Sequence, residues 1–187
     1  QGRSWSAPAG AALLCSLVLR DPPALLPLLA GVAVAETVGG QIKWPNDILI
    51  GSRKVAGILV EGRPQERWAV VGIGINVAVD IDCLPSELRE RAGTLGRFEP
   101  GAIELVLDQL LRAVERHLGD PVEALLDAWR SRDALRGQEV AWAGGRGVAD
   151  GIDGEGRLVV RSGGAGGPRT TLDAGEVHLE PLPRGGS

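Results

Sequence analysis

Apolar positions along the chain change their period several times, and each change predicts an element. Residues 11–19 are almost continuously apolar and are closed by Arg20 and Asp21, which predicts a short buried strand. After Pro22 and Pro23, residues 24–38 carry apolar side chains at helical spacing, with Gly39-Gly40 as the stop. Residues 41–44 read as a strand ended by Pro45, with Asn46 and Asp47 in turn-forming positions. Residues 48–50, the Gly51-Ser52-Arg53 turn and residues 54–61 read as a hairpin. A second turn near 62–65 leads into a strand over 67–77. Helical spacing returns at 86–91, 102–117 and 122–131. The longest of these carries Ile103, Val106, Leu107, Leu110, Leu111, Val114 and Leu118 on one stripe, which should cover a sheet. Beyond Arg136 the chain turns into short β segments at 139–142, 147–152, 157–161, 170–172 and 177–179, with Asp153-Gly154 and Gly163-Gly164 as hairpin turns.

The expected fold is therefore α/β of the α+β type: a mixed, mostly antiparallel sheet with packed helices over residues 1–135, then a small β-barrel over 136–187. No internal repeat is apparent. Composition agrees with a folded body, since 44% hydrophobic and 24% charged residues exclude wholesale disorder and a coiled coil. A net charge of −4 argues against a sequence-independent grip on nucleic acid through this chain. Neither apolar run near the start reaches the roughly 20 residues that span a bilayer, so no membrane partner is expected. A retained signal segment is an alternative for 11–19, but an internal strand explains it better. Cys15 and Cys83 cannot build a disulfide framework or a Cys-rich zinc site and suit a reducing, cytoplasmic setting. The chain has no Met and starts at Gln1, as a fragment would.

Of the 20 cationic side chains only Lys43 and Lys54 are lysines, and both fall in the same short stretch. An ammonium is a compact titratable charge, unlike the planar guanidinium, so this placement points to phosphate or acyl chemistry. Solvated hairpin lysines are the plainer explanation. Alternation over 67–77 sets Val71, Ile73, Ile75 and Val77 on one face and Gly72, Gly74 and Asn76 on the other. Glycines inside a strand leave room for a ligand or another backbone, although a bulge or tight helix packing would also account for them. The third glycine of a dinucleotide fingerprint is absent, and no helix opens here. The same alternation places Lys54, Ala56 and Ile58 together, with Gly57 thinning the strand. Lys43, just before the Trp44-Pro45 turn, can converge on that space.

Lys43-Trp44-Pro45-Asn46-Asp47, the spacing from Asp47 to Lys54, Val55-Ala56-Gly57-Ile58-Leu59-Val60-Glu61 and Gly72-Ile73-Gly74-Ile75-Asn76 resemble the central motifs of biotin protein ligases. Gly2-Arg3-Ser4-Trp5 resembles the tail of that family's adenylate-binding loop. Residues 151–160 and Ala174-Gly175-Glu176-Val177 resemble its C-terminal SH3-like barrel. The resemblance implies two half-reactions: biotin and ATP, with Mg²⁺, give biotinyl-5′-adenylate and pyrophosphate, and the acyl group then passes to a lysine of a biotin carboxyl carrier protein. It implies Lys54 as the lysine contacting biotin and adenylate, Lys43 near the phosphates, and Asp47 as orienting or deprotonating the incoming amine, or else fixing the turn. By the same resemblance Arg3, Trp5, Asn46, Gly57, Ile58, Gly72, Gly74 and Asn76 join Lys54 in binding biotin or adenylate; no metal-ligating residue is assigned. It further implies a homodimer through the sheet, and strands with most of the adenylate loop upstream of Gln1, where some members also carry a DNA-binding module. The alternatives are a lipoate or octanoate ligase or transferase, disfavoured by the Lys-Trp-Pro-Asn-Asp segment and the barrel, and a catalytically silent binding module.

Overall fold

The computed structural model describes residues 5, 7–163, 166–173, 175 and 177–179, with Arg63 and Pro64 described by their backbone alone. The first half of the chain supplies β1 (Ala12–Arg20), α1 (Leu26–Val38), β2 (Gln41–Lys43), β3 (Asp47–Ile50), β4 (Arg53–Arg63) and β5 (Trp68–Asn76). These strands form one sheet in the order β1-β5-β4-β3-β2. All of its neighbours pair antiparallel. Parallel pairing, expected as part of a mixed sheet, is confined among the described residues to the isolated bridges Ile42–Asp133 and Lys54–Ala92. The cause lies in the connections: β2, β3, β4 and β5 follow one another through tight turns, which can join only antiparallel strands.

Helices α2 (Ser86–Arg89), α3 (Ala102–Leu118) and α4 (Val122–Arg130) follow. Helix α1 is apolar nearly all round because it is covered on several sides: it packs on β2, β3 and β4 and is in turn covered by α3 and α4. Val32, Ala33, Val34 and Ala35 have no exposed surface at all. Gly39, left-handed at φ 69°, ends it with its N–H turned back to Ala35 and Glu36. Helix α3 buries Val106, Leu110, Ala113 and Val114, while Leu111 and Leu118, expected in the same stripe, stay exposed. One face of the sheet therefore belongs to the core, through Leu13, Ile42, Ile48, Ala56, Ile58, Val71, Ile73 and Ile75.

The last part of the chain forms β6 (Glu139–Trp142), β7 (Gly145–Ile152), β8 (Leu158–Arg161), β9 (Arg169–Leu172) and β10 (His178–Leu179). They make a second antiparallel sheet in the order β10-β6-β7-β8-β9. The segment between α4 and β6 ties the halves together, since Ile42 donates to the Arg132 carbonyl (2.7 Å) and accepts from Ala134 N–H (2.9 Å). Among the described residues no helix is long and apolar enough to cross a membrane.

Candidate active site

Register builds the site before any side chain is considered. Lys43 stands opposite Asp47, Asp47 opposite Gly57, Gly57 opposite Gly74, and Gly74 opposite Leu14, so one row of residues crosses all five strands. Residues directly opposed in a sheet share a face. This row lies on the side away from the helices, and it is a cation, a carboxylate, two glycines and a leucine in succession. Gly72 sits two residues further along β5, opposite Leu59 and Ser16, and extends the bare strip.

Lys54 reaches that row only because the hairpin is irregular. Ile48 pairs with Ala56 and Leu49 with Lys54, a register shift that leaves Val55 as an extra residue in β4. Strict alternation would put Lys54 with Ala56 and Ile58, as the sequence led us to expect. The bulge reverses the parity, and the observed arrangement corrects that expectation. Ala56 and Ile58 point into the core, whereas the Lys54 ammonium lies 3.3 Å from where a Cβ on Gly57 would stand. There it meets Asp47 Oδ1 at 2.5 Å. The lysine side chain is 39% exposed and the carboxylate 23%, so the pair is partly shielded but open to an incoming ligand.

The hollow over the glycines holds the Trp5 indole. A Cβ at Gly74 would come within 2.8 Å of the ring and one at Gly57 within 2.9 Å, so only glycine at both positions lets the indole lie so close to the sheet. The Lys54 ammonium stands 5.7 Å from the ring centroid, within cation–π range. Among the described residues the buried indole N–H finds no acceptor. A buried unpaired donor is costly, so a ligand oxygen at this point would satisfy it.

The other expected residues divide. Asn46 donates from Nδ2 to the Ile58 carbonyl (2.7 Å) while its own carbonyl accepts from Ile58 N–H (3.0 Å), so it clamps the turn onto β4. Asn76 has its side chain buried and donating to the Gly93 carbonyl (2.8 Å), which fixes the 93–97 loop rather than presenting the amide over the glycines. The Ile58 side chain is 4% exposed on the helix side, so its backbone but not its side chain borders the site. Lys43 shares the row with Asp47, yet makes no ion pair among the described residues. Arg3 lies outside the described residues. Leu14 and Gly93 were not anticipated; both are placed by pairings distant in sequence, and no local pattern signals them. An open groove of about 660 Å³, lined by Val18, Arg20, Asp21, Glu66, Arg67, Trp68 and Val70, lies at the opposite end of β1 and β5 and carries neither lysine.

Comparison with known proteins gives consistent matches. The model of the biotin/lipoate A/B protein ligase family matches residues 1–78. A biotin–[acetyl-CoA-carboxylase] ligase of Paracoccus denitrificans is 32% identical, the match covering 96% of this chain and 84% of the relative. The bifunctional ligase/repressor BirA of Bacillus spizizenii is 36% identical over 134 residues, 63% of this chain and 41% of that protein; the chain thus spans about two fifths of this relative's length. Among solved structures, biotin protein ligase from Aquifex aeolicus in complex with biotin and ATP superposes with a TM-score of 0.75 at 26% identity, covering 91% of this chain and 78% of the other.

Proposed function

The chain belongs to the biotin/lipoate A/B protein ligase family, and on that premise we propose that it is the catalytic part of a biotin–protein ligase. In the first half-reaction a biotin carboxylate oxygen attacks the α-phosphorus of ATP. The bond to the β-phosphate breaks and pyrophosphate leaves with that electron pair. In the second, a carrier lysine amine attacks the acyl carbon, AMP leaves, and the nitrogen gives up a proton.

The observation that carries the reading is the convergence of Lys54, Asp47 and Trp5 over the Gly57–Gly74 floor. In this reading Lys54 turns from Asp47 toward the carboxylate and α-phosphate, where fixed positive charge stabilises the oxyanion that grows in the transition state. Lys43, further along the row, faces the polyphosphate. Asp47, relieved of Lys54, orients the acceptor amine and takes its proton. Once the Trp5 indole lifts off Gly57 and Gly74, these glycines and Gly72 let the apolar acyl chain lie against the sheet, and the ring covers the intermediate and keeps water from the mixed anhydride. In this reading residues 1–135 are the catalytic unit, and the second sheet, within 136–187, belongs to a small SH3-like barrel. The acceptor is a lysine on a biotin carboxyl carrier protein. Among the described residues no three His, Cys, Asp or Glu side chains stand together to hold a metal. Mg²⁺ enters as part of the ATP substrate, and no step is assigned to it.

Biotin-dependent release of pyrophosphate from ATP by the full-length protein tests the proposal. Release with biotin is the expected result. Release with lipoate or octanoate in place of biotin would transfer the chain to the other branch of the family, and no release with any of the three would overturn the reading.

A further inference from the structure

We propose that Gly156, in the turn between β7 and β8, is a positioning residue for this site: its carbonyl holds Trp44 and thereby fixes where Lys43 and Asp47 stand. The inference presupposes the ligase reading of that site. Lys43 and Asp47 face each other across β2 and β3, and Trp44, the first residue of the turn that joins them, is buried in the core. Its side chain is buried, and its Nε1 donates to the Gly156 carbonyl at 3.1 Å, across 112 residues of chain. The turn that carries the lysine–carboxylate row is therefore anchored from beneath by the second sheet.

The acceptor is both close and stiff. Gly156 has φ +79°, and a Cβ there would stand 2.7 Å from Cδ1 of Leu28, so a glycine lets this carbonyl come up against α1 and Trp44. Asp153 braces the turn: its Oδ1 accepts from the N–H groups of Glu155 and Arg157, each at 3.0 Å, and its Oδ2 accepts from Arg157 Nε at 2.8 Å. The Gly156 N–H returns to the Asp153 carbonyl at 3.2 Å. A braced acceptor can hold a donor in place, whereas a floppy loop could not. Since a displacement of about 1 Å at reacting groups can cost on the order of a hundredfold in rate, the bond is placed to matter for chemistry as well as for folding.

Trp44→Phe in the full-length protein removes the donor and keeps an aromatic ring in the core. Trp129→Phe, at a second buried indole, on α4, is the matched control. Asp153→Ala loosens the brace without touching the first sheet. We expect Trp44→Phe and Asp153→Ala each to lower kcat for biotin-dependent pyrophosphate release by about tenfold or more, with KM for biotin and ATP within about threefold. Both should speed amide hydrogen exchange over residues 43–47, and Trp129→Phe should do neither per folded molecule. A kcat for Trp44→Phe and Asp153→Ala no lower than that of the control overturns the proposal. If the unaltered protein releases no pyrophosphate, the ligase reading fails. Exchange then decides the hold without any activity, and unchanged exchange over 43–47 in both variants overturns it.

Discussion

Lys54 and Gly57 lie three residues apart in one strand yet share a face of the sheet, because the extra residue Val55 reverses the alternation between them. This sets the Lys54 ammonium against Asp47 and beside the Trp5 ring instead of in the core. Under the proposed chemistry, Lys54→Ala should lower adenylate formation at least about a hundredfold, the scale of losing one preorganised electrostatic contact. Lys54→Arg should restore little, because a planar fork does not occupy the space of an ammonium. Pyrophosphate-release kinetics of both variants check this, and near-normal turnover by Lys54→Ala would refute the role.

Ile58 serves as the counter-test of the same geometry. Its side chain is in the core with Ile73 opposite, so Ile58→Ala should cost about 2–5 kcal/mol of stability. Ligand affinity per folded molecule should hardly change. Urea unfolding together with calorimetric titration of biotin separates the two quantities; a large affinity loss at unchanged stability would place this side chain on the ligand face after all.

Gly74→Ala puts a methyl group within 2.8 Å of the Trp5 indole. The ring must shift, and the floor of the hollow rises. A ligand lying on the strip would meet the same methyl, and overpacking of about 1–3 kcal/mol felt by the bound state means that biotin should bind roughly tenfold more weakly. Biotin affinity that survives Gly74→Ala intact would show that the ligand does not use the strip.

Away from the site, Glu36 joins α1 to α3 through His117 Nε2 (3.0 Å) and Arg116 Nη1 (2.8 Å), while His117 Nδ1 lies 2.6 Å from Asp120 Oδ2. Burial alone would raise the Glu36 carboxyl, but the hydrogen bond and charge of His117, with Arg116 and Arg132, outweigh it and hold the group below its ordinary value. A carboxyl depressed in the folded state stabilises the fold above its unfolded value, and that contribution is lost as pH falls through the folded value. Between about pH 5 and pH 3 the melting temperature should therefore fall more steeply for the unaltered protein than for Glu36→Gln. Parallel curves would show that the helix junction does not depend on this charge.

Much of the fold is legible along the chain. The apolar period over 24–38 and 102–117 becomes α1 and α3, and the glycine-punctuated segments after Arg136 become β6 to β10, with ends shifted by a few residues. Local patterns suffice for these because helical spacing and strand alternation are near-neighbour properties of the backbone. The bare face of β5 is legible for the same reason: Gly72 and Gly74 alternate with buried Val71, Ile73 and Ile75.

The site is only half legible. Local pattern singled out Lys43, Lys54, Gly57 and Gly74, and the family resemblance added Asp47 and Trp5, yet the pattern assigned Lys54 the wrong face, since a bulge is set by how two strands pair and not by either one. It could not show that Asn76 is occupied by Gly93, or that Trp44 is held by Gly156 from the far end of the chain. Residue types and periods are decided by local sterics and burial preference, which every short segment carries. Register, parity after a bulge and contacts across a hundred residues exist only once the strands have paired, and they decide which of the named groups meet.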